Sequence, residues 1–282
     1  MKTIVIPTDF SRNAWNALFT ALKLFDREAC EIVLFHAYQP NSGTALKDAT
    51  SKPLWEVYEE LKHKAQEEMM QIETYFEKEY HNPHHRFRSL CIQGDLIVAL
   101  ESFRNTTPID LIVMGTQGAT GAKRVFLGSN TVRILKQIKK VPVLAVPAVY
   151  VLQRLARVVL PTDYSHEFTE NTLRLLLELM RKWKSRIDLL YVANEPVVKP
   201  EQLMHRKQAE QLFLGLDYRM KQIPGDRKIS DVISGYAESV RADLVVLIRH
   251  KHSFIAQLTR EPVVKHLGYR STAVLLVLPQ FD

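Results

Sequence analysis

The segment TIVIPTDFSRNAWNALFTALKLF, from Thr3, has a counterpart in RVVLPTDYSHEFTENTLRLLLEL, from Arg157. Each reads as a short apolar strand, then Pro-Thr-Asp-aromatic-Ser, then a long amphipathic helix that Ser11 or Ser165 is placed to cap. The match continues along the chain. EIVLFHAY pairs with IDLLYVAN, IDLIVMG from Ile109 with ADLVVLI from Ala242, and VPVLAVP from Val141 with TAVLLVLP from Thr272. A spacing of roughly 130–155 residues is far too long for a solenoid unit, so the pattern is that of a duplicated domain. The 282 residues accommodate two such copies, 1–148 and 155–282. The join near Ala148–Arg154 leaves no long linker, so the copies are expected to pack against each other.

Within the first copy the pattern predicts strands at 3–7, 31–37, 87–93, 109–114 and 141–146. Helices are expected at 11–25, 53–80, 95–104 and 129–138, and in the second copy at about 200–222. Continuous apolar strands alternating with helices indicate an α/β fold, a doubly wound parallel sheet covered on both faces. In the 53–80 helix the glutamates and lysines form a solvated face. Leu54, Val57, Tyr58, Leu61, Ala65, Met69, Ile72 and Phe76 follow helical spacing and are expected in the core.

Composition excludes several classes. No apolar run approaches the roughly 18 residues of a membrane span, and no signal peptide is visible, so membrane insertion is not expected. Cys30 and Cys91 form no zinc-type spacing, which points to a reducing cytoplasm. The net charge of +7 comes from acidic and basic groups mixed throughout, without the aromatic-interleaved basic runs of a nucleic-acid surface. No nucleophile elbow, HExxH or paired-carboxylate spacing appears, so no catalytic residue is assigned. His81, His84 and His85 lie in a proline turn and are expected to be solvated, and Cys91 to be buried and inert.

Four of the ten glycines fall between Gly115 and Gly128, directly after the strand-like DLIVM. Glycine at a strand end lets a ligand approach the backbone, and Gly118 and Gly121 would keep the following loop close. Gly128-Ser129-Asn130-Thr131 then opens a helix whose first N–H groups lack intrahelical acceptors and suit a phosphate. The Ser129 and Thr131 hydroxyls would add donors. Asp9, ending the first strand, could accept from a ribose or an adenine amine, and His36 could contact the same ligand. Because the second copy keeps Pro161-Thr162-Asp163 but none of the loop glycines, Pro-Thr-Asp is expected to be partly architectural.

These residues resemble the universal stress protein family in its tandem two-domain form. The family signature is two glycines separated by two residues, then nine residues, then Gly-Ser. It is matched here by Gly115, Gly118 and Gly128-Ser129, together with PTDFS and Gly94-Asp95. The resemblance implies strand order 3-2-1-4-5, ATP as ligand, and pairing of the two copies through their last strands as a pseudo-dimer. Carried over by position, Pro7, Thr8 and Asp9 would line the adenosine and Ala37 the adenine. Met114, Gly115, Gly118, Gly128, Ser129, Asn130 and Thr131 would hold ribose and phosphates. Mg2+ would be held largely through the phosphates, since no carboxylate pair is evident.

The second copy departs from the signature: Ile248 or Arg249 replaces the first glycine, and Arg260-Glu261 falls near Gly-Ser. It is expected not to bind ATP in the family manner, and to be a degenerate half retained for packing. Its Arg249, His250, Lys251, His252 and Arg260 leave open a different anionic ligand. The expected function is a cytoplasmic, ATP-binding stress sensor or adaptor acting on an unknown protein partner, with homodimerisation of whole chains left open. The alternatives are a metabolite- or lipid-binding module using the second cleft, and a slow ATPase or autophosphorylating enzyme.

Overall fold

Apolar runs of four to six residues separated by amphipathic stretches can bury both faces only as central strands between helical layers. The computed structural model, which describes residues 1–40, 52–117, 128–193, 199–224, 228–249 and 273–280, has this arrangement. The first half runs β1 (Lys2–Pro7), α1 (Arg12–Leu24), β2 (Cys30–Tyr38), α2 (Leu54–Glu79), β3 (His85–Gln93), α3 (Leu96–Thr106), β4 (Leu111–Gly115), α4 (Ser129–Gln137) and β5 (Val143–Val146). The second runs β6 (Arg157–Thr162), α5 (Glu170–Trp183), β7 (Arg186–Ala193), α6 (Pro200–Leu212), β8 (Asp217–Pro224), α7 (Ile229–Ser239), β9 (Leu244–Arg249) and β10 (Val274–Pro279).

The ten strands among the described residues join one sheet in the order β3-β2-β1-β4-β5-β10-β9-β6-β7-β8. Each half is parallel and has the order 3-2-1-4-5. The halves meet at the antiparallel pair of β5 with β10, where Leu275, Leu276 and Val277 face Ala145, Leu144 and Val143. The pseudo-dimer is thus formed within one chain, and the strands that would be exposed edges cover each other. On one face, Ile4, Leu34 and Leu144 share a hydrophobic layer with Leu160, Leu176 and Leu276. On the other, Val5, Ile112 and Val143 do so with Val159, Val245 and Leu275. Lys182 of α5 reaches the first half, donating to the Leu24 carbonyl at 2.6 Å and pairing with Asp26 at 3.0 Å. No helix among the described residues is long and apolar enough to cross a membrane.

The structure corrects several expectations. Ser165 does not cap a helix: α5 starts at Glu170, and Thr169 Oγ1 accepts from the Thr172 amide at 3.2 Å. The helix expected to run to 222 stops at Leu212, and Asp217–Pro224 is the edge strand β8 paired with β7. Gly215, at φ +85°, makes the turn between them. In α2 only Ala65, Met69, Ile72 and Phe76 are buried. Val57, Tyr58 and Leu61 are half-buried and Leu54 is exposed, because the first turns of this long helix overhang the sheet. His85 is buried rather than solvated, with Nε2 2.9 Å from the Phe25 carbonyl and Nδ1 2.8 Å from the Tyr80 hydroxyl. Cys91 is half-buried.

If the β5–β10 seam holds the halves as one unit, Leu276→Ala will cost about 2–5 kcal/mol, and the protein will still unfold in one transition. Denaturant unfolding followed by circular dichroism checks this. A cost well under about 1 kcal/mol, or two separated transitions, would contradict it.

Candidate functional site

Helix α1 packs on one face of the sheet and α3 and α4 on the other, so the chain changes face between β1 and β4. Such a switch point leaves a crevice beyond the carboxyl ends of the strands. Here it is a cavity of about 150 Å³, open to solvent. Pro7, Thr8 and Asp9 line it from the end of β1, Ala37 from β2, and Met114 and Gly115 from β4. Gly128, Ser129, Asn130 and Thr131 line it from the start of α4. Ten of the eleven positions singled out in the sequence therefore share one cavity; Gly118 lies outside the described residues, as do Gly121 and the remaining loop.

The Pro-Thr-Asp turn is built by its own side chains. Thr8 Oγ1 accepts from the Phe10 amide at 3.0 Å, and Asp9 Oδ1 accepts from the Ser11 amide at 3.1 Å. Ser11 Oγ then accepts from Ala14 N at 3.2 Å and caps α1. Phe10 sits at φ +63°, a left-handed conformation that costs a bulky residue of the order of 1–3 kcal/mol. Thr162, Asp163 and Tyr164 repeat the turn, with hydrogen bonds of 2.9 Å and Tyr164 at φ +56°. The motif is therefore architectural in both halves, whatever Asp9 does besides.

Asn13, which the sequence pattern did not single out, organises the β4 end of the cavity. Its buried side chain accepts from the Gln117 amide at 2.7 Å and donates to the Val146 carbonyl at 3.2 Å. A Cβ at position 115 would lie 2.5 Å from Asn13 Oδ1 and 2.6 Å from its Cγ. Glycine at 115 is thus required first by a side chain of the protein. One turn on, Asn16 donates to the Pro147 and Tyr150 carbonyls at 3.0 and 2.8 Å, fixing the exit from β5.

At the opposite wall, the Gly128 amide donates to the Thr116 carbonyl at 2.6 Å, and the Val132 amide donates to the Gly128 carbonyl at 3.0 Å. The amides of Ser129, Asn130 and Thr131 form the first turn of α4, the positive end of its dipole. Thr131 Oγ1 donates to the Gly115 carbonyl at 2.9 Å, so its hydroxyl ties α4 to β4 and is not the ligand donor expected of it. Ser129 stays exposed at the mouth. Below the cavity Asp95 caps α3, accepting from Ile97 and Val98, and Arg133 of α4 donates to it at 2.6 Å. Burial works against that carboxylate, but the Arg133 hydrogen bond and the two amides prevail and hold its pKa below the ordinary 3.8.

In the second half the described residues differ at the matching positions. Strand register equates Ile4 with Val158 and Leu111 with Leu244, which places Ile248 at the position of Gly115. Ile248 is buried, and Glu167, at the place of Asn13, is exposed and outside α5. Arg249 is half-buried. It reaches into the first half and donates to the carbonyls of Leu135 and Ile138, at the end of α4. His250, Lys251, His252, Arg260 and Glu261 lie outside the described residues.

The universal stress protein family model matches residues 1–147. The chain belongs to this family. Universal stress protein MJ0577 of Methanocaldococcus jannaschii is 28% identical over 156 residues, 51% of this chain and 94% of that protein. The crystal structure of a universal stress protein from Archaeoglobus fulgidus matches 99% of this chain and 98% of that one, with a TM-score of 0.69 at 16% identity, which establishes the two-lobed fold. A universal stress protein from Archaeoglobus fulgidus in complex with dAMP matches 44% of this chain and 97% of its own, at 13% identity and a TM-score of 0.32.

The contact of Asn13 with Gly115 gives a prediction by double-mutant cycle. Gly115→Ala alone should cost about 1–3 kcal/mol, and about 1 kcal/mol less in an Asn13→Ala background, where the clashing amide is gone. Equal costs in the two backgrounds would show that the two residues do not press on each other.

Proposed function

We propose that residues 1–148 form a nucleotide-binding domain that takes ATP in this cavity, and that residues 155–282 form a degenerate partner domain without an ATP site. The observation that carries the reading is the joining of an anion-seeking helix start to an apolar-walled recess in one cavity. The amides of Ser129–Thr131 suit a polyphosphate. Ala14, Ala37, Leu96 and Met114 supply apolar surface for a base, and Thr8 and Asp9 stand between, where a ribose would lie. Asp9 is the one carboxylate among the described lining residues, so Mg2+ would arrive held by the phosphates rather than by a protein cage. In the second half Ile248 fills the volume over which the phosphates would pass.

On this reading the protein is a cytoplasmic nucleotide-dependent sensor or adaptor in a stress response. Ligand in the cavity touches both the turn after β1 and the start of α4, and so would set the surface offered to a protein partner. Gly128 provides the test, because its φ of −55° and ψ of 151° suit any residue while a branched side chain would enter the cavity. Gly128→Val should weaken ATP binding in calorimetry by more than about tenfold while leaving the melting temperature near that of the wild type. Unchanged ATP affinity in a folded variant would refute the placement of the phosphates.

A further inference from the structure

Strand β10 runs antiparallel to β5, while β9 is parallel to β10 and β4 to β5. The carboxyl ends of the second half's strands therefore point to the end of the sheet away from the cavity. Helix α4 starts at the cavity and returns along the sheet between β4 and β5, so its last turn arrives at that far end. Arg249, the last residue of β9, meets it there. Its guanidinium bridges two main-chain oxygens, one nitrogen donating to the Ile138 carbonyl at 2.9 Å and another to the Leu135 carbonyl. The last carbonyls of a helix lack intrahelical donors, and a cation suits the negative end of its dipole. Burial lowers the pKa of Arg249 from the ordinary 12.5, yet a guanidinium stays charged at neutral pH.

Nine residues give α4 a length of only about 14 Å, too short to be stable by itself. What grips it from outside sets its position. At the cavity end Thr131 donates to the Gly115 carbonyl, and midway Arg133 pairs with Asp95. Both of these partners belong to the first half. At the far end the grip comes from the second. A short rod released at one end tilts at the other, and donors displaced by about 1 Å no longer converge on a ligand. Resting on the ATP reading above, we propose that Arg249 is a positioning residue of the nucleotide site. It holds α4 by its carbonyl end and so sets where the Ser129–Thr131 amides stand. The second half thus contributes to phosphate binding from across the seam, and by linkage bound ATP strengthens the hold of Arg249 on α4.

The test compares ATP with adenosine, which lacks the phosphates and so does not call on α4. In calorimetry of the full chain, Arg249→Met should weaken ATP binding by about fivefold or more and adenosine binding by less than about twofold. A general loosening of the protein would instead lower both affinities together. If Arg249→Met melts early, Arg249→Gln serves in its place, since one amide can donate to either carbonyl but cannot bridge the two, and the same split is expected. Wild-type ATP affinity in a folded variant, or equal losses for the two ligands, would overturn the proposal while leaving the ATP site intact. Failure of the wild type to bind ATP would refute the reading on which it rests.

Discussion

An amide side chain at position 13 and an absent one at position 115 occupy the same volume, and the first half is arranged around that fact. Asn13 spans from α1 to the strand ends, holding the Gln117 amide with its oxygen and the Val146 carbonyl with its nitrogen. Were any Cβ present at 115, the amide would have to withdraw, and the Gln117 amide would lose its acceptor while the Val146 carbonyl kept only the Thr116 amide at 2.9 Å. Thr131 then fastens α4 to the Gly115 carbonyl, so the helix whose amides face the cavity is registered against the same residue. The signature glycine thus serves interior packing before it serves any ligand.

Loss of this pair distinguishes the second half. Ile248 fills the place of Gly115, Glu167 is exposed to solvent where Asn13 is buried, and the first turn of the helix is missing, with Thr169 as a later cap. The Pro-Thr-Asp turn survives with the same hydrogen bonds and the same left-handed aromatic residue. What has been kept is therefore the part that the sheet needs, and what has been lost is the part that opens a crevice. The retained half remains tied to its sister: β10 closes the edge of β5, and Arg249 engages the far end of α4.

Much of this could be read from the chain because the relevant information is local. Strands, most helices and the cavity-lining glycines announce themselves by period and by runs of residue type. Asn13 does not. Its partners lie 104 and 133 residues away, and a single polar residue in the first turn of an amphipathic helix looks like part of the solvated face. A signal was present in retrospect, since Asn13 falls beside Ala14, Ala17 and Leu18 on the apolar side. Edge strand β8 was hidden because none of its residues is buried and only Tyr218, Met220 and Ile223 are half-buried, which weakens its apolar pattern relative to the central strands.

The central claim is an asymmetry: one half offers main-chain amides to a polyphosphate and the other fills the matching space with a side chain. Titration calorimetry of the intact chain with ATP measures it directly. The account predicts a single class of sites at one ATP per chain. Two equivalent sites, or none, would contradict it.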